Sequence, residues 1–229
     1  MSIAENLERV RAELAAACAG AGRSPADVQL MAVSKVHPAS AIKEAYAAGQ
    51  RLFGENRVQE MADKRPALAG LDGLEVHLIG PLQNNKTAKA AELFHAVQTL
   101  DSAKTAGRLN AAAQALGRVL PVLVEVKLSP EETKHGVAPE ALPELLEAMA
   151  RLSHLRVQGL MTVPPWSQDA ETARPYFRRL RELREANVGR YPGLVELSMG
   201  MSGDFRVAVE EGSTMVRIGT AIFGARTRV

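Results

Sequence analysis

Val28-Gln29-Leu30-Met31-Ala32-Val33-Ser34-Lys35 is followed directly by Val36-His37-Pro38. The first part is a short, mostly apolar run, the pattern of a strand buried on both faces. Pro38 suits the first turn of a helix, where a backbone N–H is not needed. Ala39 to Ala48 favours helix, and Gly49 can end it. The segment therefore predicts strand, turn and helix, with a lysine at the carboxyl end of the strand. A lysine there faces a desolvation cost unless it is neutral, paired, covalently engaged, or snorkels to solvent. A neutral lysine amine can also form a Schiff base. Lys35 alone does not choose among these roles.

Outward from this segment the same alternation continues. Strands are predicted at about 28–34, 52–54, 75–79, 96–100, 121–126, 157–161, 194–198 and 214–218. Helices are predicted between them, at about 39–48, 58–68, 86–95, up to 116, 139–152, 169–187 and 205–211. Pro175 must lie near the first turns of its helix, because an interior proline would kink it. Ahead of the first strand, Ser2-Ile3-Ala4-Glu5 is a capping box that opens a further helix running towards Gly20. Eight strands alternating with helices predict a (β/α)8 TIM barrel with an extra N-terminal helix, one domain over residues 1–229. An open doubly wound sheet is the rival. It calls for a glycine-rich turn after the first strand, and Ser34-Lys35-Val36-His37 is not one.

Composition narrows the function. The 46% apolar and 24% charged fractions are those of an ordinary globular chain. Lys and Arg number 28 against 26 Asp and Glu, and the charges are spread, so no nucleic-acid groove or membrane patch is expected. Cys18, the only cysteine, excludes an internal disulfide and a cysteine metal cluster, and its place in a predicted helix predicts a packing role. Neither a signal peptide nor a membrane-spanning run is evident, so a soluble cytoplasmic protein is expected.

In a (β/α)8 barrel the active site lies at the carboxyl ends of the strands. Those ends carry Lys35, Asn56, His77, Met161, Ser198-Met199-Gly200-Met201-Ser202-Gly203, Arg217 and Gly219-Thr220. The segments after the seventh and eighth strands are where such barrels bind phosphate, and small residues let backbone N–H groups approach an anion. A helix beginning near Ser202 would add its positive end, although Ser202-Gly203-Asp204 can also serve as an ordinary cap. Arg217 stands between apolar neighbours on the predicted inner face of the last strand and needs a buried acceptor. Glu196 is one candidate, and a ring nitrogen or carboxylate of a ligand is the other. A lysine, a phosphate cradle and a buried cation together suit an aldehyde-bearing, phosphorylated cofactor, and pyridoxal phosphate has both groups.

Read together, Ala32-Val33-Ser34-Lys35, Phe53-Gly54-Glu55-Asn56-Arg57-Val58-Gln59-Glu60, His77-Leu78-Ile79-Gly80-Pro81-Leu82-Gln83-Asn84-Asn85-Lys86, Gly159-Leu160-Met161, Leu197 to Asp204, and Arg217 to Gly224 closely resemble the pyridoxal phosphate homeostasis protein family. That family is related to the barrel domain of bacterial alanine racemases. The resemblance implies a fold-type III barrel holding pyridoxal 5'-phosphate as a Schiff base on Lys35, with Arg217 facing the pyridine nitrogen. It implies that Ser198, Gly200, Ser202, Gly219 and Thr220 line the phosphate site and that Asn56, His77 and Met161 surround the ring. It also implies a second cofactor-handling lysine at Lys134, in Lys134-His135-Gly136-Val137; Lys127, where many members carry a small amide residue, is the other candidate. The expected function is a monomeric carrier that buffers the cofactor, supplies apo-enzymes and maintains vitamin B6 and amino-acid homeostasis, with no catalytic residue and no metal assigned. The alternative is an amino-acid racemase, which needs acid/base groups on both faces of the substrate carbon. Tyr46, Tyr176 and Tyr191 are expected away from the strand ends, and the sequence leaves no room for a second domain after the last strand, which favours the carrier.

Overall fold

The computed structural model describes residues 1–129, 131 and 135–224. Eight strands close into a barrel in sequence order: β1 (Gln29–Val33), β2 (Leu52–Glu55), β3 (Glu75–Leu78), β4 (Ala96–Leu100), β5 (Leu120–Glu125), β6 (Leu155–Met161), β7 (Glu196–Ser198) and β8 (Met215–Ile218). Every pairing is parallel, and β1 closes on β8 with Met31 beside Arg217. The strands fall within two residues of their predicted bounds.

Around the barrel run α2 (Ala39–Ala47), α3 (Val58–Lys64), α4 (Thr87–Leu93), α5 (Ala103–Ala115), α6 (Leu142–Ala150), α7 (Arg174–Val188) and α8 (Phe205–Glu210), preceded by α1 (Ile3–Gly20) and followed by α9 (Thr220–Phe223). The helix predicted over 58–68 stops at Lys64 and continues as a 3-10 turn over Arg65–Leu68. Pro66 explains this, since its ring clashes with the preceding turn and it offers no N–H. Pro175 lies in the first turn of α7, where it costs nothing. α8 starts at Phe205, not near Ser202, because Met201 donates to Asp204 Oδ1 at 2.6 Å and shapes residues 201–204 into a turn. The four-residue α9 was not anticipated.

The main core lies between barrel and helices, where Phe53, Phe94 and Phe177 are fully buried. Each such side chain contributes roughly 1.5–3 kcal/mol. α1 places Leu7, Val10, Leu14 and Cys18 on one buried face, so the cysteine packs as expected. The barrel interior is partly polar. Gln98 on β4 reaches His77 on β3, Ser198 on β7 and Met215 on β8, which only a side chain crossing the lumen can do. No described helix is long and apolar enough to cross a membrane.

Candidate functional site

A cavity of about 500 Å³ opens at the carboxyl ends of the strands. Lys35, Asn56, Ser202, Arg217, Gly219 and Thr220 all contribute to its wall, so the fold brings six of the expected residues together. Glu125, His135, Asp204 and the exposed Trp166 also line it.

Lys35 is half-buried and projects from a tight turn after β1. Both of its neighbours are anchored. The carbonyl of Ser34 accepts from Lys64 Nζ at 3.1 Å, and the amide of Val36 donates to Glu60 Oε1 at 2.6 Å. Lys64 also donates to Glu55 Oε1 at 2.8 Å and to Glu60 Oε1 at 2.6 Å, and Ser34 Oγ donates to Glu55 Oε1 at 2.6 Å. Burial raises the pKa of Glu55 in spite of Lys64, and Glu55 Oε2 has no hydrogen-bond partner among the described residues. His37 stacks on Phe223 with ring centres 5.1 Å apart, tying the lysine turn to α9.

Arg217 is buried. Burial lowers its pKa to about 10, while Glu125 and Asp204 pull it back up, so it stays charged at neutral pH. Nη2 donates to the carbonyl of Thr162 at 2.8 Å and Nη1 to Ser198 Oγ at 2.7 Å. Glu196, the protein partner suggested by sequence, instead accepts from Thr214 Oγ1 at 2.7 Å. From Ser198 the bonding continues downward: Ser198 Oγ donates to Gln98 Oε1 at 2.6 Å, and Gln98 Nε2 lies 3.0 Å from His77 Nδ1. Burial lowers the His77 pKa to about 4, so the ring is neutral and Nδ1 can accept. A one-way series of donors thus runs from the guanidinium into the lumen and holds it in one orientation.

On the same cavity wall, Ser202, Gly203, Gly219 and Thr220 offer backbone N–H groups that make no hydrogen bond among the described residues. Such free donors with little side-chain bulk suit a phosphate. Gly200 supports this wall from behind. Its φ is +98°, a Cβ would meet that of Ala208 at 2.6 Å, and its carbonyl accepts from the Arg217 amide at 2.9 Å.

Four expected residues lie elsewhere. Ser198 is fully buried and engaged with Arg217 and Gln98, and it does not line the cavity. Gly200 shapes the turn without lining the cavity. His77 sits lower in the lumen, and Met161 is buried beside Glu125 at the end of β6. Lys127 is half-buried outside the cavity wall, its amide bonded to the Val137 carbonyl at 2.9 Å. Lys134 lies outside the described residues. Tyr46, Tyr176 and Tyr191 do not line the cavity. Sequence reasoning gave no site role to Glu125, Asp204, Gln98 or the Lys64 cluster. Glu125 closes an apolar strand just as Lys35 follows one, and that signal could have found it. Among the described residues no group of three or more His, Cys, Asp or Glu could hold a metal.

The family model described as alanine racemase, N-terminal domain, matches residues 3–227. The chain is 48% identical over 226 residues to the pyridoxal phosphate homeostasis protein of Pseudomonas aeruginosa, covering 98% of this chain and 96% of that one. The Aquifex aeolicus protein of the same name is 45% identical over 227 residues, covering 99% of each. Among solved structures, PipY of Synechococcus elongatus with PLP bound superposes with a TM-score of 0.87 at 42% identity, covering 97% of this chain and all (100%) of that one. A D-threonine aldolase from Filomicrobium marinum, at 19% identity and a TM-score of 0.75, shares the fold over 62% of its length. A closed barrel with a lysine, a buried arginine and free amide donors at one mouth, together with these full-length matches, means that the chain belongs to the pyridoxal phosphate homeostasis proteins, within the alanine racemase N-terminal domain family.

Proposed function

We propose that this protein binds pyridoxal 5'-phosphate reversibly at Lys35 and serves as a carrier and buffer of that cofactor, a monomer in the cytoplasm that supplies apo-enzymes. The observation that carries the reading is the meeting of Lys35, Arg217 and four free backbone donors around one cavity of about 500 Å³. Pockets of this size hold small ligands and cofactors. When bound, the cofactor supplies an aldehyde that an amine can capture.

Each protein group has a role that follows from its surroundings. Lys35 presents its amine from a turn anchored on both sides, so little freedom is lost on capture. The N–H groups of Ser202, Gly203, Gly219 and Thr220 are available for a phosphate's oxygens. Arg217 keeps a fixed positive charge in the wall, which disfavours a second one beside it. A ring nitrogen next to it stays unprotonated and withdraws electrons weakly, which suits storage better than carbanion chemistry. Asn56 closes the side of the cavity, positioned by Gly80, where a Cβ would overlap the Asn56 carbonyl. The racemase reading needs a second acid/base group across from Lys35, and no tyrosine supplies it.

Borohydride reduction after loading, followed by peptide mass mapping, tests the assignment. A single pyridoxyl adduct on Lys35, lost in Lys35→Ala with the fold retained, is the expected result. An adduct on another lysine, or none, would overturn it. Sustained racemization of a free amino acid by the pure protein would replace the carrier reading with the enzymatic one.

A further inference from the structure

Two of the motifs, Asn56-Arg57-Val58-Gln59 and Pro81-Leu82-Gln83-Asn84-Asn85-Lys86, are scarcely used by the cofactor cavity. They build a second depression of about 550 Å³ beside it. Asn56 and Pro81 belong to both walls, so the two sites are immediate neighbours.

The chemistry of this second wall is one-sided. It contains the cations Arg57 and Lys86 and the amides of Gln59 and Gln83, and no carboxylate. Neither Arg57 nor Lys86 makes a side-chain hydrogen bond or ion pair among the described residues. Of the acidic residues nearest in sequence, Glu60 is taken up by Lys64 and the Val36 amide, and Asp63 accepts from Gln59 Nε2, which leaves that amide its second N–H. Arg174, Arg178 and Arg181, by contrast, converge on Glu211. A planar guanidinium fork, a point-charge ammonium and amide donors around one concavity suit a tetrahedral dianion.

We propose that this cleft is a second anion site that binds a small phosphate monoester, distinct from the phosphate wall formed by Ser202 to Thr220. The inference stands independently of what occupies the first cavity.

The test is titration of inorganic phosphate, then of glycerol phosphate, into protein loaded with pyridoxal 5'-phosphate, at constant ionic strength, followed by amide NMR and calorimetry. One saturable event is expected, shifting the amides of residues 56–59 and 83–86. Arg57→Ala and Lys86→Ala should each weaken it about tenfold, the size of one charge-assisted contact. Lys86→Arg should retain it, and none of these variants should lose the bound cofactor. Four results would overturn the site: no saturation, equal responses to acetate and phosphate, unchanged affinity in both alanine variants, or shifts confined to Ser202, Gly203, Gly219 and Thr220. If the protein takes up no cofactor, the same titration on the unloaded chain still reads residues 83–86, so failure of the carrier reading is told apart from failure of this one.

Discussion

Val36 is the only non-glycine among the described residues with positive φ, at 64°. A β-branched side chain is disfavoured there, so the surroundings must enforce the turn. Glu60 and Lys64 do so from within an ion cluster whose Glu55 and Lys64 are buried. Removing one member of such a cluster leaves the others charged and unpaired. Lys64→Met should therefore destabilise the protein by about 3–5 kcal/mol, read as a fall in the urea midpoint. It should also slow capture of an aldehyde by Lys35. A loss well under about 1 kcal/mol would mean that the cluster is not holding the turn.

His77 makes a second residue-scale prediction. Its folded pKa of about 4 lies below the ordinary 6.5, so the unfolded chain binds the proton more readily. The associated stability is complete above pH 6.5 and is lost as the pH falls towards 4. At most about 3 kcal/mol is at stake, from the conversion of pKa shift to free energy. Denaturant midpoints at pH 7 and pH 4.5 should differ more in the wild type than in His77→Gln, and equal pH dependence would show that the ring is not buried neutral.

Among the elements, α1 links the start of the chain to the cavity wall at Gly219 and Thr220. Its capping box is complete, with Ser2 Oγ accepting from the Glu5 amide and Glu5 accepting from the Ser2 amide. Asn6 and Arg9 then donate to the Ile222 and Ala221 carbonyls of α9, the helix that begins beside Gly219 and Thr220. Ser2→Ala should cost about 1 kcal/mol, measured by thermal or urea unfolding. Asn6→Ala acts on the far end of the same link, and it should weaken cofactor binding a few-fold while Lys35 remains reactive. Helices such as α1 and α7 were legible because their caps, prolines and apolar spacing are local signals. The short α9 was not, because four residues carry no periodicity and its stability comes from contacts with α1.

At the scale of the whole molecule, the barrel gathers segments far apart in sequence around one mouth. Trp166, the only tryptophan, is 79% exposed yet contributes to the cavity wall. Pyridoxal 5'-phosphate bound there should quench its emission, and the quench should be reversed when the cofactor is released and be absent in Lys35→Ala at low cofactor concentration. Emission that ignores loading would place the ligand elsewhere.

The eight strands, the extra first helix and the placing of Lys35, Arg217, Asn56, Ser202, Gly219 and Thr220 at strand ends were determined by the sequence itself. Apolar runs, glycines, prolines and caps act over a few residues and are written in order along the chain. The partners of those residues were decided only by the tertiary structure. Arg217 meets Ser198 and the Thr162 carbonyl across the lumen, Ser198 turns inward to Gln98, and Lys64 reaches back under the Lys35 turn. Closure of the barrel determines which side chains cross the lumen, and the return of α3 against β1 determines which charges share a buried space. Neither distance is encoded by any local spacing, so both had to be read from the folded chain.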